Sequence, residues 1–467
     1  MVADADISLV SDSYLDDHVY QGERLFPAVF GLEAMAQAAG ALANSTAAPV
    51  FEAVEFTHPI VVDRGQSLTL RVSALKRAPG RIEIALRCSQ TAFQIDHFRA
   101  FCQYAGQDAT LNLAESSLSP LLGEADRVSS ESTYISLSPE QHLYGKLLFH
   151  TGRFRRLLGY RELAAYHCVA DIAADNTGFW FVRYLPQGFN LGDPGSRDAA
   201  IHALQACIPH ATILPIGLDR LIPGDVHTPG PWRVSARERW QDQDVFCYDL
   251  AIHGADSTLR ECWEGLRLRR VATLPSQSWV EPLLIAYLER SLRERIPSAS
   301  LAVALVSGAE EDRPGRADSA MHRVLGNNAK IGRRSDGKPE TESGKTVSVA
   351  HSGELTLAIA GTNPLACDLE KVVERPEQVW RDLLGEERHA LAELVAQFDG
   401  ESFAVAATRV WSAIECLKKS GLPPNVPLTL KADDAGWVLF NAGKSIIATY
   451  RADLDNLPPT RILAVLA

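Results

Sequence analysis

Residues 27–43 (PAVFGLEAMAQAAGALA) form an almost continuously apolar run opened by a proline, which predicts a helix with Pro27 in its first turn. Small apolar residues on nearly every side place that helix inside protein rather than on a surface. Four stretches with strand-like alternation follow, at 51–58, 67–75, 81–88 and 95–104. A second apolar helix begins near Asp198 (residues 198–206, DAAIHALQA), with strand-like segments behind it at 245–253 and 259–271. Around residues 274–278 (LPSQS) the pattern changes. Residues 279–295 read as an amphipathic helix, 307–316 and 333–344 are loop-rich, and the rest mixes strands with helices. A domain boundary is therefore expected near 275.

One buried helix followed by several long antiparallel strands is the outline of a hot-dog unit, and it occurs twice before that boundary. The first helix carries Glu33 and Gln37, the second Asp198 and His202. Each pair is an acid with a polar residue four positions on, hence on one helical face. The pattern predicts an internal duplication, a double hot dog over 1–275 with halves of about 1–125 and 126–275. A Ser/Glu-rich connection at 115–131 separates the halves, and an α+β domain over 276–467 follows.

Composition changes this picture little. At 467 residues the chain is long for a single core. A net charge of −12 gives no support to nucleic-acid binding by phosphate neutralisation. An acidic partner would need a local basic patch, such as residues 153–156 (RFRR) or Arg333–Arg334, and both runs are equally readable as solvated surface. The eight cysteines include no C-x-x-C pair, and a zinc site is not expected. No signal-peptide pattern and no apolar run near the ~20 residues of a membrane span is visible. A cytoplasmic protein with reduced, buried cysteines is expected.

Candidate chemistry begins at His18, which with Gly22 and Pro27 fits H-x3-G-x4-P without a mismatch. Here the sequence resembles the dehydratase domains of polyketide synthases, and residues 27–39 also resemble single hot-dog 3-hydroxyacyl-carrier dehydratases. Asp198 and His202 match the second motif, D-x3-[QH]. Tyr144-Gly145 resembles a tyrosine-glycine motif, with Lys146 where the family has proline and Ala28 in place of a glycine. The resemblance implies that His18 is a base, since histidine titrates near neutral pH. It implies that Asp198 is an acid whose pKa desolvation raises. His202 orients Asp198 or the substrate hydroxyl, and a helix N-terminus or an amide near Gly22 polarises the thioester carbonyl. In paired hot dogs a histidine of one half faces the helix of the other, so His18 meets Asp198. Glu33 would need a histidine near Arg183, which is absent, and is expected to be vestigial or structural. Alternatives are a hot-dog thioesterase using a helix carboxylate such as Glu33, or a docking module without catalysis.

Four fragments of the C-terminal part occur in order: Gly337-Lys338-Pro339, residues 348–353 with His351, Asp368 and Glu370, then Trp411, Glu415 and Lys419. Together they resemble the phosphopantetheinyl transferases of the larger, pseudo-dimeric α+β type. Asp368 and Glu370 alternate on a strand, and Glu415 and Lys419 share a helical face. Three converging carboxylates repel unless a cation joins them, and Mg2+ fits oxygen ligands and phosphates. The resemblance implies Asp368, Glu370 and Glu415 as metal ligands, and Lys338, His351 and Lys419 on the phosphates of coenzyme A. Glu415 or a metal-bound water takes the proton of a carrier-protein serine. Ile414 stands where the family has lysine, and Ala366 where it has glycine.

Dehydratase followed by phosphopantetheinyl transferase resembles the C-terminal end of iterative enediyne polyketide synthases. Residues 147–154 (LLFHTGRF), between the motifs, share in that resemblance. It implies an acyl carrier protein or domain as partner, carrier-bound polyene intermediates as substrates, and a homodimer through the hot-dog domain.

Overall fold

The computed structural model describes residues 1–104, 133–174, 189–224, 229–274, 278–297, 301–326, 328–334, 338–341, 344–361, 364–423, 425–455 and 457–467, the side chains of 399, 433 and 434 excepted. Arg183, Gly337 and the connection at 115–131 lie outside the described residues. The chain divides into two compact units, Met1–Leu274 and Pro275–Ala467.

In the first unit an eleven-stranded antiparallel sheet runs through both halves. The first helix is Ala28–Ala43, with extended Pro27 as its N-cap rather than in its first turn. It is followed by strands Val50–Phe56, Ser67–Ala78, Arg81–Cys88 and Phe98–Gln103. The second is Pro194–His202, followed by Ala211–Pro223, Trp232–Asp242, Val245–His253 and Leu259–Thr273. Numbered after its helix, each set lies in the sheet in the order 1-4-3-2, reading outward from where Val50–Phe56 pairs with Ala211–Pro223. Two repeats of one topology, joined edge to edge with their helices in contact, make a double hot dog. At the joint Gly217 has φ +155°, and a Cβ there would stand 2.5 Å from the Val54 carbonyl oxygen.

The alternation predicts two strands in the second half, whereas six are present among the described residues. Bulges beside Pro215 and Gly217 break the period of Ala211–Pro223, and Trp232–Asp242 carries charge at successive positions. The Asp198 helix also starts earlier than expected. Asp193 caps it by accepting the Gly195 and Ser196 amides, and Pro194 opens it.

In the second unit, helix Arg313–Leu325 packs on a three-stranded sheet of Ala302–Ser307, Leu355–Gly361 and Thr346–Ser352. Helix Phe403–Ser420 packs on a five-stranded sheet that begins with Ala366–Lys371. Strands Thr346–Ser352 and Ala366–Lys371 lie side by side between these two assemblies. All eight cysteines are buried and free, and among the described residues no helix is long and apolar enough to cross a membrane.

Candidate active site

His18 sits just after the short helical turn Ser13–Asp17. Its strand position pairs with His150, and Asp17 accepts from the Thr151 hydroxyl at 3.2 Å and the Arg153 amide at 3.2 Å. Residues 147–154 are thereby clamped alongside His18, and Phe149 and Phe154 pack on its ring. The His18 Nδ1 lies 2.9 Å from the Leu25 carbonyl oxygen. A carbonyl only accepts, so Nδ1 carries the proton and Nε2 presents a lone pair.

Asp198 is held from three sides. The Asp193 cap fixes its helix, and a buried Arg197–Glu261 ion pair ties the next turn to strand Leu259–Thr273. Glu33 accepts the Asn190 and Leu191 amides at 2.8 and 2.9 Å, fixing the approach to the helix. Gln37 donates to Glu33 at 2.7 Å, so the first acid–polar pair is a brace, and Glu33 does not line the cavity. This removes the support for a Glu33 thioesterase.

His18 Nε2 and Asp198 Oδ1 face one another at 4.0 Å. On the other oxygen, Oδ2, converge His150 Nε2 at 3.1 Å and His202 Nδ1 at 3.2 Å. Behind His202 the Tyr144 hydroxyl lies 3.3 Å from Nε2 and accepts the Leu157 amide at 3.0 Å. The surviving tyrosine of the Tyr144-Gly145 pair therefore works one residue back from Asp198. His18, His150, Asp198 and His202 lie along a cavity of about 290 Å³ with apolar walls such as Phe56, Phe98, Ile201 and Ile213. Ala28, the first residue of its helix, borders the cavity, whereas exposed Gly22 sits in a tight hairpin turn away from it. The helix start, whose first N–H groups lack intrahelical partners, is thus at the cavity and Gly22 is not.

Burial lowers the His18 pKa to about 4, with nearby His150 adding to that effect against the pull of Asp198. Burial and His202 likewise lower His150. For Asp198 burial acts upward, as the sequence suggests, but His150, His202 and His18 outweigh it and the pKa is lowered. The expectation of a raised acid is corrected: three imidazoles around one carboxylate stabilise its charge more than desolvation penalises it. His150 is the residue of this cluster that the motifs miss. Its only signal is a histidine inside residues 147–154, and its partner Asp198 is remote in sequence.

In the second unit the predicted residues are distributed differently from expectation. Lys419 Nζ donates to Asp368 Oδ1 at 2.7 Å and to the Cys367 carbonyl at 3.0 Å. Glu415 instead takes Lys418 at 2.6 Å, the neighbour one turn on. Trp411 Nε1 donates to Glu370 at 3.4 Å. Burial, then the charges of Asp368 and Glu415, raise the Glu370 pKa. Asp368 Oδ2 is buried without a hydrogen-bond partner among the described residues. An orphan carboxylate oxygen beside mutually repelling acids fits a cation. The three carboxylates nonetheless do not close to the 4.8 Å spacing of a ready-made cluster, unlike His18, His150 and Asp198.

Next to these acids lies a cavity of about 920 Å³ lined by Arg313, Arg333, Lys338, Lys345, His351 and Lys419. His351 bonds Thr356 Oγ1 at 2.9 Å. Burial, reinforced by Arg313 and Arg316, lowers its pKa to about 4, so it meets a ligand as a neutral imidazole. Ile414 is buried in the core under its helix, where a lysine would have to bury its charge.

A histidine of one hot dog set against a helix aspartate of the other, at the end of an apolar pocket, defines an acid–base site of the double hot-dog class. Residues 1–88 match the family model described as polyketide synthase dehydratase domain, and residues 125–278 that described as polyketide synthase dehydratase N-terminal domain. Through its N-terminal unit the chain belongs to the polyketide synthase dehydratases. No curated protein matches it. Among solved structures it is similar to the dehydratase domain of a mycocerosic acid synthase-like polyketide synthase, at 17% identity over 57% of this chain and 89% of that one, TM-score 0.41. It is also similar to the dehydratase domain of the CurJ module of curacin polyketide synthase, at 13% identity over 58% and 92%, TM-score 0.45. A trans-acyltransferase polyketide synthase enoyl-isomerase aligns at 15% identity over 58% and 100%, TM-score 0.43.

Proposed function

We propose that the N-terminal unit removes water from carrier-bound 3-hydroxyacyl thioesters, with His18 as base and Asp198 as acid. The observation that carries this reading is His18 Nε2 facing Asp198 Oδ1 at 4.0 Å along an apolar cavity. His18 Nε2 takes the proton on C2 of the acyl chain. With Oδ2 occupied by His150 and His202, a proton on Asp198 sits on Oδ1, toward the cavity. It passes to the C3 hydroxyl, which leaves as water as the C2–C3 double bond forms. The proton on His18 then returns to Asp198, so the working form carries one proton on the pair, which the ionised resting site first takes up from solvent. Amides at the start of helix Ala28–Ala43 polarise the thioester carbonyl. His18→Ala and Asp198→Asn should each lower turnover of a 3-hydroxyacyl pantetheine thioester by about a hundredfold or more, followed by mass spectrometry. Undiminished turnover in both variants would leave a docking module as the better account.

For the C-terminal unit we infer transfer of 4′-phosphopantetheine from coenzyme A to a carrier-protein serine. The large cavity with cationic walls supports this, since its ligand must be strongly anionic. Lys338, His351 and Lys419 bind the phosphates. Asp368, Glu370 and Glu415 would hold Mg2+, which when bound neutralises the pyrophosphate. The serine oxygen attacks phosphorus, adenosine 3′,5′-bisphosphate leaves, and the serine proton passes to Glu415 or to water. The order of the two units supports an iterative synthase of the enediyne type, working on polyene intermediates. Mixing the chain with coenzyme A, Mg2+ and apo carrier should add the phosphopantetheine mass, and Asp368→Ala should abolish the gain. No gain in wild type, or an undiminished gain in the variant, sinks the assignment.

A further inference from the structure

We propose that His18, His150 and Asp198 form a binding site for Zn2+, and that the bound ion shuts the dehydratase pocket to its substrate. Their ligand atoms all lie within 4.8 Å of one another, and all three residues are buried. A tetrahedral ion about 2.0–2.1 Å from each donor separates the donors by roughly 3.4 Å and two imidazole centres by about 5 Å. His18 Nε2 stands 4.0 Å from Asp198 Oδ1 and His150 Nε2 3.1 Å from Oδ2, so an ion between the rings meets the carboxylate through either oxygen, and the two ring centres stand 5.2 Å apart.

The surrounding hydrogen bonds suit a metal site. Leu25 holds the proton of His18 on Nδ1, which orients the ring and frees Nε2, the usual support behind a metal-bound histidine. His202 bonds the carboxylate from behind in the same way. Nothing among the described residues fixes the proton of His150, whose Nδ1 is buried without a partner. That proton moves to Nδ1 at no loss of a hydrogen bond, leaving Nε2 for the ion. His202 is not a ligand of this kind, because both its nitrogens are engaged. Two imidazoles with one carboxylate select Zn2+ and its transition-metal neighbours over Mg2+. The fourth position opens into the cavity. Bound Zn2+ occupies the lone pair of His18 and the carboxylate of Asp198, so the C2 proton has no base and the hydroxyl no acid.

Co2+ titrated into the metal-free full chain is the probe. One equivalent is expected to develop the intense visible absorption of tetrahedral cobalt, which Zn2+ displaces. The band should weaken about tenfold or more in affinity in His150→Phe and in His18→Ala. His150→Gln replaces the phenylalanine variant if that one fails to fold. Both other candidate sites among the described residues, Glu377 with His389 and Glu393, and Asp368 with Glu370 and Glu415, are intact in all these variants, so a lost band maps to the pocket. Absence of the band in wild type, or a band unchanged in the histidine variants, overturns the site. Turnover is read separately in metal-free protein. A chain that binds cobalt as described but dehydrates nothing refutes the dehydratase reading and upholds the site. Inhibition of turnover by Zn2+, reversed by EDTA, completes the case.

Discussion

Asp198 takes the contacts of His150 and His202 on one oxygen, Oδ2, so these two imidazoles decide that Oδ1 is the oxygen left facing His18. The same crowding has a consequence for stability. His18, His97, His150 and His351 all have pKa values lowered chiefly by burial. In the unfolded chain they titrate near 6.5. Between that value and about 4, reached by His18 and His351, the unfolded chain binds more protons than the folded one. Stability from these groups is thus fully present above pH of about 6.5 and is lost as pH falls toward 4. Lowered Asp198 and Asp171 act in the same sense at lower pH, and raised Glu33 acts against it. The melting temperature should fall steadily from pH 7 to 4.5; a flat profile would contradict the buried, neutral imidazoles.

At the scale of elements, two helices with matching acid–polar pairs have diverged in use. Helix Ala28–Ala43 spends its acid on the backbone of the segment that leads into helix Pro194–His202, whose own acid faces the pocket. Glu33→Ala leaves two amides without acceptors and should cost about 2–4 kcal/mol in denaturant unfolding. Glu33→Gln keeps one acceptor and should cost less, with dehydration retained. Loss of activity in Glu33→Gln together with full activity in His18→Ala would instead restore the thioesterase. The helix faces were legible in the sequence because the 3.6-residue period fixes which side chains share a side. Strands Ala211–Pro223 and Trp232–Asp242 were not, because proline, bulges and charge interrupt their alternation.

Across the whole molecule, each unit closes its own core and carries its own candidate site. Residues 1–274 expressed alone should therefore melt cooperatively and retain dehydration; an aggregated or inactive fragment would show that the first unit is incomplete. From the sequence alone came the duplicated helix pattern, the residue types His18, Asp198 and His202, and the candidate acids and cations of the second unit. The helix pattern follows from the helical period, a local property, whereas the site residues were implied by motif resemblance to dehydratases and phosphopantetheinyl transferases. Tertiary structure alone decided that His150 joins the site, that Asp198 rests ionised, that Glu33 braces, and that Glu415 pairs with Lys418 while Lys419 holds Asp368. A proton's position and an ion pair's choice depend on charges and donors a few ångströms away in space, and only folding sets those distances.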